Sequence, residues 1–176
     1  MVREGKNGGL SKRLVEVLNL GLEIERKFLV DKRKLFGLNF LSEEKIMQGY
    51  LSHNPTVRVR VKGERGFLTI KSSTKGITRK EFEYEIPIED AEELLKLCGW
   101  FVLKKYRRTV EYGGHVWEID FFAGRHAGLV LAEVELTSPN EPLKLPDWVT
   151  REVSGDSRYY NSNIVRSSRE QLGVRK

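Results

Sequence analysis

Residues 22–28 read LEIERKF. As a β-strand, this stretch places Glu23, Glu25 and Lys27 on one face and Leu22, Ile24, Arg26 and Phe28 on the other, because successive side chains alternate sides. Three successive charges on one side of a short strand need a reason, and the reason decides the fold.

The pattern recurs. VRVRVK at 57–62 sets Arg58, Arg60 and Lys62 against three valines; LTIK at 68–71 sets Thr69 and Lys71 against Leu68 and Ile70; LAEVEL at 131–136 sets Glu133 and Glu135 against Ala132, Val134 and Leu136. The plain explanation is a sheet with one covered side and one side in water. Hairpin registers weaken it. The turn signal YGGH at 112–115 pairs Tyr112 with His115, and hence Arg107 with Asp120 and Thr109 with Glu118. GERG at 63–66, read as a four-residue loop, pairs Lys62 with Phe67, Arg60 with Thr69, and Arg58 with Lys71. Like charges directly opposite are destabilising unless an anion lies between them. Glu23, Glu25, Glu118, Asp120, Glu133 and Glu135 exceed what ion pairing with neighbouring cations requires, and such clusters suit a divalent cation.

Both needs are met if the sheet closes with its charged face inward. Strand-like segments at 22–30, 46–52, 56–62, 66–72, 79–86, 103–112, 115–122 and 128–136 supply about eight strands, enough for a lumen that takes one small ligand. The fold class is α+β, mainly β: an eight-stranded antiparallel β-barrel with flanking helices. The helices are predicted in EDAEELLKLCG at 89–99, with Ala91, Leu94, Leu95 and Cys98 on one face, in PDWVTREVSGD at 146–156, and in NSNIVRSSREQLG at 161–173, capped by Asn161 or Ser162. Residues 1–21 read as an N-terminal extension ahead of a domain over 22–176. A Gly-rich start is followed there by a short helix with Ser11 as cap, Leu14, Val15 and Leu18 as its apolar stripe, and Gly21 as its stop.

At 176 residues the chain suits one domain, and 39% hydrophobic with 32% charged residues is ordinary for a globular protein. A net charge of +6 implies an acidic partner, whether nucleic acid, anionic membrane or polyphosphate, without choosing among them. Cys98 is the sole cysteine, and no apolar run of membrane length or signal-type segment occurs, so the expected location is cytoplasmic.

EIERK at 23–27 resembles the ExExK signature of the CYTH superfamily, the triphosphate tunnel metalloenzymes. VRVRV, LTIKS, RKEFEYEI, KKYRRT, WEIDFF and LAEVEL then follow in that family's order, and the tail EVSGDSRYYNSNI is similar to that of its short, single-domain bacterial members. The resemblance implies a tunnel, a divalent metal (Mg2+ or Mn2+) and hydrolysis of inorganic triphosphate. It implies Glu23, Glu25, Glu133 and Glu135 as metal ligands, with Asp120 assisting, and Lys27, Arg58, Arg60, Lys71, Lys105 and Arg107 as phosphate-binding residues. Thiamine triphosphatase and class IV adenylate cyclase activities remain open alternatives within the family. A non-catalytic polyphosphate- or RNA-binding module is the alternative from another class. The expected partner is a small triphosphate, with no nucleic acid and no membrane; the oligomeric state is open, a homodimer included.

MQGYL at 47–51 adds a candidate for catalysis. Gln48 and Tyr50 share a strand face, and if it points inward Tyr50 approaches Lys27, whose ammonium would lower the phenol's pKa and fit Tyr50 to act as general base. A mere lining role is the alternative. Glu81 and Glu83 either extend the site or form a rim ladder with Arg79 and Glu85, and His53, His115 and His126 read as surface residues.

Overall fold

The computed structural model describes residues 21–174. Among them run β1 (Leu22–Val30), β2 (Ser42–His53), β3 (Thr56–Lys62), β4 (Arg65–Lys71), β5 (Thr78–Ile86), helix α1 (Ile88–Leu97), β6 (Val102–Tyr112), β7 (His115–Phe122), β8 (Val130–Glu135), β9 (Val149–Glu152) and the single helical turn α2 (Asn161–Ile164). The helix expected over 11–20 lies outside the described residues.

Strands β5-β4-β3-β2-β6-β7-β8-β1 form one antiparallel sheet, and pairing of β1 with β5 closes it. Closure is short: Leu22, Glu23 and Ile24 pair with Lys80, Arg79 and Thr78. Further along the same edge of β1, β9 takes over, with Phe28 opposite Glu152 and Leu29 opposite Arg151. A helix was expected at 146–156; the open half-edge of β1 selects an extended Val149–Glu152 instead, a tertiary demand that outweighs local propensity. The long helix expected at 161–173 stops after Ile164. Beyond it the Ser167 hydroxyl donates to the carbonyl of Asn163 and the Gln171 amide donates to the Ser168 hydroxyl, so serine side chains compete for the backbone.

The β6–β7 hairpin has the predicted register, with Arg107 opposite Asp120 and Thr109 opposite Glu118. The β3–β4 hairpin differs. Lys62 pairs with Arg65 across a two-residue turn in which Gly63 has φ +59°, so Arg58 faces Thr69 and Arg60 faces Phe67, two residues off the expected register. The direct Arg58–Lys71 opposition is thereby corrected.

Outside the barrel, Phe28, Trp117, Ile119, Val134 and Trp148 form one buried cluster over β1, β7 and β8. Helix α1 covers β2 to β4 so closely that a Cβ on Gly49 would lie 2.6 Å from Cys98 Sγ, and one on Gly66 2.7 Å from Ala91 Cβ. At one end of the lumen the inward positions turn apolar. Tyr50, Leu103, Phe122 and Leu131 pack there with Val153, Tyr159, Ile164 and Val165, giving the tunnel a closed floor. His126 belongs to this end and is buried, with its Nε2 3.2 Å from the Ser167 carbonyl, which corrects its expected surface position.

Candidate functional site

The inward faces of the eight strands carry the charges. Lys27, Arg58, Lys71, Lys105, Arg107, Asp120 and Glu133 are all buried, side by side with buried Gln48 and Thr69. Charges so deep persist only if paired or if a ligand takes part.

On the β6–β7–β8 wall the pairing is dense. Arg107 donates from Nε and Nη2 to Asp120 at 2.7 Å each, from Nη2 to Glu133 at 2.6 Å, and also to Glu118. Lys105 donates to Asp120. Lys27, from β1, sits 2.7 Å from Glu133, its register partner, and 3.5 Å from Glu25. Burial pushes the Glu133 carboxyl up, but Lys27, Lys105 and Arg107 together hold it well below the usual range. Asp120 is lowered in the same way by Arg107 and Lys105 against its burial. Both oxygens of Asp120 are engaged by these cations, so its contacts favour holding Lys105 and Arg107 in place.

The wall built from β1, β3, β4 and β5 is organised differently. Lys71 lies 3.0 Å from Glu23 and 2.6 Å from Glu81, Arg79 also pairs with Glu23, and Arg58 donates to Thr69, Glu83 and Glu81 at 3.1, 3.0 and 3.3 Å. Arg60 joins Glu83 at 2.8 Å. Glu81 and Glu83 therefore belong to the lumen, a point the alternation left open. Glu23 and Glu81 meet at Lys71, which both contact. Burial raises the Glu81 carboxyl and the neighbouring Glu23 raises it further, whereas Lys71 and Arg79 hold Glu23 below its ordinary value despite burial.

Glu25 is the outlier. Burial and the neighbouring charge of Glu133 push its carboxyl up to about 7, and Lys27 at 3.5 Å only partly offsets them. Lys27 itself is raised: burial opposes its charge, but Glu133 and Glu25 more than compensate. Lys71 and Lys105 are lowered, by burial first and by Arg58 and Arg107 respectively. Glu135, exposed at the end of β8, faces Glu25 in the β1–β8 register.

Tyr50 does enter the lumen beside these residues, with its hydroxyl accepting from Gln48 Nε2 at 2.8 Å. The expected lowering of its pKa does not occur. Burial raises the phenol to about 12, outweighing the pull of Arg58 and Lys27. Residues from the C-terminal part complete the cavity: Ser154, Tyr160, Asn161 and Ser162 line it opposite Thr56, Thr74 and Ile77. Ser154, Tyr160, Asn161 and Ser162 have no periodic sequence signature; the tail EVSGDSRYYNSNI was noted only for its resemblance to the family, without a role for these residues. Arg79 was visible in the alternation of β5.

A divalent ion is compatible with the donor set. The carboxylates of Glu23, Glu25, Glu133 and Glu135 are hard oxygen donors, and a cation beside Glu25 would offset the burial and the Glu133 charge that push its carboxyl up. Among the described residues no three acidic, His or Cys side chains form a ready-made cage, because ion pairs hold most of the carboxylates. An ion that takes few protein ligands and completes its coordination with water and phosphate suits such a site. Cationic donors are also unspent: buried Arg58 Nε and Arg60 Nε have no hydrogen-bond partner.

A CYTH domain model matches residues 21–166. The chain is 44% identical over 153 residues to an inorganic triphosphatase of Acetivibrio thermocellus, covering 84% of this chain and 96% of that one. It is 35% identical over 152 residues to an inorganic triphosphatase of Nitrosomonas europaea, covering 82% and 97%. A crystal structure of an inorganic triphosphatase superposes with a TM-score of 0.62 at 32% identity, covering 82% of this chain and 95% of that one.

Proposed function

The chain belongs to the CYTH domain family, and from that premise we propose that it hydrolyses inorganic triphosphate to diphosphate and phosphate within the charged tunnel. The observation that carries this reading is the lumen itself: buried Lys27, Arg58 and Lys71 line a cavity together with Glu23, Glu25 and Arg79, and buried Lys105 and Arg107 extend the inner cationic face along β6. A slender polyanion meets cations on both walls and needs no pocket for a base. Phosphoryl transfer asks of a protein mainly positioning and charge neutralisation, which this arrangement supplies.

Glu23, Glu25, Glu133 and Glu135 would hold Mg2+ or Mn2+, and the ion when bound supplies Lewis-acid neutralisation of phosphate oxygens and a more acidic water. Arg58, Arg60 and Lys71 bind and orient the chain from one side, Lys105 and Arg107 from the other. Lys27 keeps its proton, since Glu133 and Glu25 raise its pKa, and acts as a fixed cation at the reacting end. Tyr50 remains a neutral phenol whose oxygen is occupied by Gln48, leaving its own O–H to donate and orient a phosphate oxygen or water. Asp120 positions Lys105 and Arg107. The cations point into a closed barrel rather than along its surface, which favours a small substrate over RNA. A cytoplasmic location belongs to this reading on sequence grounds alone.

The test is phosphate release from tripolyphosphate, ATP, thiamine triphosphate and diphosphate by chelator-stripped protein, with and without added Mg2+ or Mn2+. Tripolyphosphate is expected to be the preferred substrate, with activity restored by metal. Full activity in excess chelator, or preference for thiamine triphosphate or ATP, contradicts the proposal.

A further inference from the structure

Gln48 on β2 is a neutral amide set among charges. It is 1% exposed, stands between Arg60 on β3 and Leu103 on β6 in the strand registers, and donates from Nε2 to the Tyr50 hydroxyl at 2.8 Å. That bond fixes the amide, and Oε1 is then buried with no donor among the described residues. The neighbouring cations are committed elsewhere. Arg60 directs Nη2 to Glu83, Arg58 directs Nη2 to Thr69 and Glu83, and Lys105 and Arg107 both donate to Asp120. Turning the amide over would set its N–H groups beside Arg60, which already carries an unpartnered donor at Nε.

A buried amide oxygen without a donor costs about 1–3 kcal/mol. The donor it lacks therefore comes with what enters the lumen. Ionised triphosphate offers acceptor oxygens only, whereas water offers hydrogens. Tyr50 lines the cavity with Glu25, Lys27 and Arg58, and because Gln48 takes its oxygen, its own O–H is free to donate there. An acceptor and a donor side by side suit a water molecule, which needs at least two polar partners.

We propose that Gln48 Oε1 and the Tyr50 O–H together hold the water that attacks the terminal phosphorus. The inference rests on the hydrolytic reading above. The water gives one hydrogen bond to Oε1 and receives one from Tyr50, which leaves a lone pair on its oxygen for phosphorus. That oxygen bonds to phosphorus as the bond from phosphorus to the bridging oxygen of diphosphate breaks; one water hydrogen stays on the phosphate and the other passes to the diphosphate. An amide orients water without taking its proton, a role glutamine can fill in phosphoryl transfer. A phenol held at about 12 fits the same division of labour, since Tyr50 then donates and does not abstract.

The test is 31P NMR of tripolyphosphate cleavage in water containing methanol, because attack by methanol gives methyl phosphate in place of phosphate. Methanol has a single hydroxyl hydrogen and cannot both satisfy Oε1 and supply a proton to diphosphate, so wild type should form little methyl phosphate. Gln48→Met, which keeps the bulk and removes the acceptor, should lower kcat at least about tenfold with KM within about twofold of wild type. It should also raise the ratio of methyl phosphate to phosphate several-fold. Gln48→Glu, which keeps an acceptor at that place, should retain the wild-type ratio. Thermal unfolding checks that the variants are folded, and Gln48→Leu serves the same comparison should Gln48→Met fail to fold. A residue that merely fills the lumen would slow both nucleophiles alike. An unchanged ratio in the folded Met or Leu variant, or an equal rise in Gln48→Glu, overturns the assignment while leaving the hydrolytic reading intact. Absence of phosphate release by wild type overturns that reading and this inference with it.

Discussion

Glu133 on β8 and Glu25 on β1 are glutamates of one lumen, both close to Lys27, yet their carboxyls move in opposite directions. Glu133 is drawn well below its ordinary range by three cations, whereas Glu25 is pushed up to about 7 by burial and by Glu133 itself. The β6–β8 wall is thus electrostatically complete: Arg107 serves Asp120, Glu118 and Glu133 at once. On β1, Lys27 at 3.5 Å and Lys71 only partly offset the burial of Glu25 and the charge of Glu133. Within one barrel, closed charge networks carry the architecture, and Glu25 is the group that the proposed function assigns to a ligand cation.

Stability separates the two most strongly. Glu133→Gln leaves Lys27 and Arg107 short of a buried partner and is expected to cost about 3 kcal/mol or more, whereas Glu25→Gln at pH 7 is expected to be at least as stable as wild type, because the raised carboxyl of Glu25 works against folding there. Urea denaturation of the metal-free proteins measures both. Equal losses would abolish the distinction between the walls.

The pH dependence sharpens it. A carboxyl raised from 4.5 to about 7 by folding contributes stability that is fully present below pH 4.5 and is lost as pH rises through 7. Metal-free wild type should therefore lose stability relative to Glu25→Gln across that window, read as the difference in Tm between them. A constant difference would mean that Glu25 is ionised throughout.

Tyr50 gives a smaller effect, confined to the reaction. With its phenol at about 12, Tyr50→Phe should lower kcat moderately through lost orientation and leave the shape of the pH–rate profile below pH 11 unchanged. Disappearance of an alkaline limb in the variant would restore the phenolate role. The smallest effect is expected outside the barrel. Arg26 pairs with Glu152 at 2.5 Å, but both side chains are partly exposed, so Arg26→Ala should cost at most about 1 kcal/mol and leave activity intact.

Most of the barrel was legible because period-two alternation is dictated by the sheet itself: β1, β3 and β7 begin and end where the pattern does. β9 was not, since its four residues are strand only because β1 offers a free half-edge. The β3–β4 register was missed because GERG allows both a two- and a four-residue loop, and the error had chemical consequences. Arg58 meets Thr69 and Glu83 rather than an opposing Lys71, so Arg58→Ala should destabilise the ligand-free protein where the other register predicts gain or no change. The inward charges were readable from alternation, but their balance was not. That Glu133 is held low by three cations, that Glu25 is pushed up, and that Tyr50 is too buried to ionise easily depend on distances between strands far apart in sequence. Tyr160 and Asn161, which line the cavity, lie on a tail whose course only packing determines.

The central claim, that the under-neutralised β1 face serves the hydrolysis of inorganic triphosphate, is tested most directly by 31P NMR of tripolyphosphate incubated with wild type and Glu25→Gln in the presence of Mg2+. Wild type should yield diphosphate and phosphate in equal amounts and stop there, while Glu25→Gln, equally well folded, should turn over at least a hundredfold more slowly, a loss of about 2.7 kcal/mol in transition-state stabilisation. Conversion at the wild-type rate by Glu25→Gln, or no conversion by wild type, would contradict it.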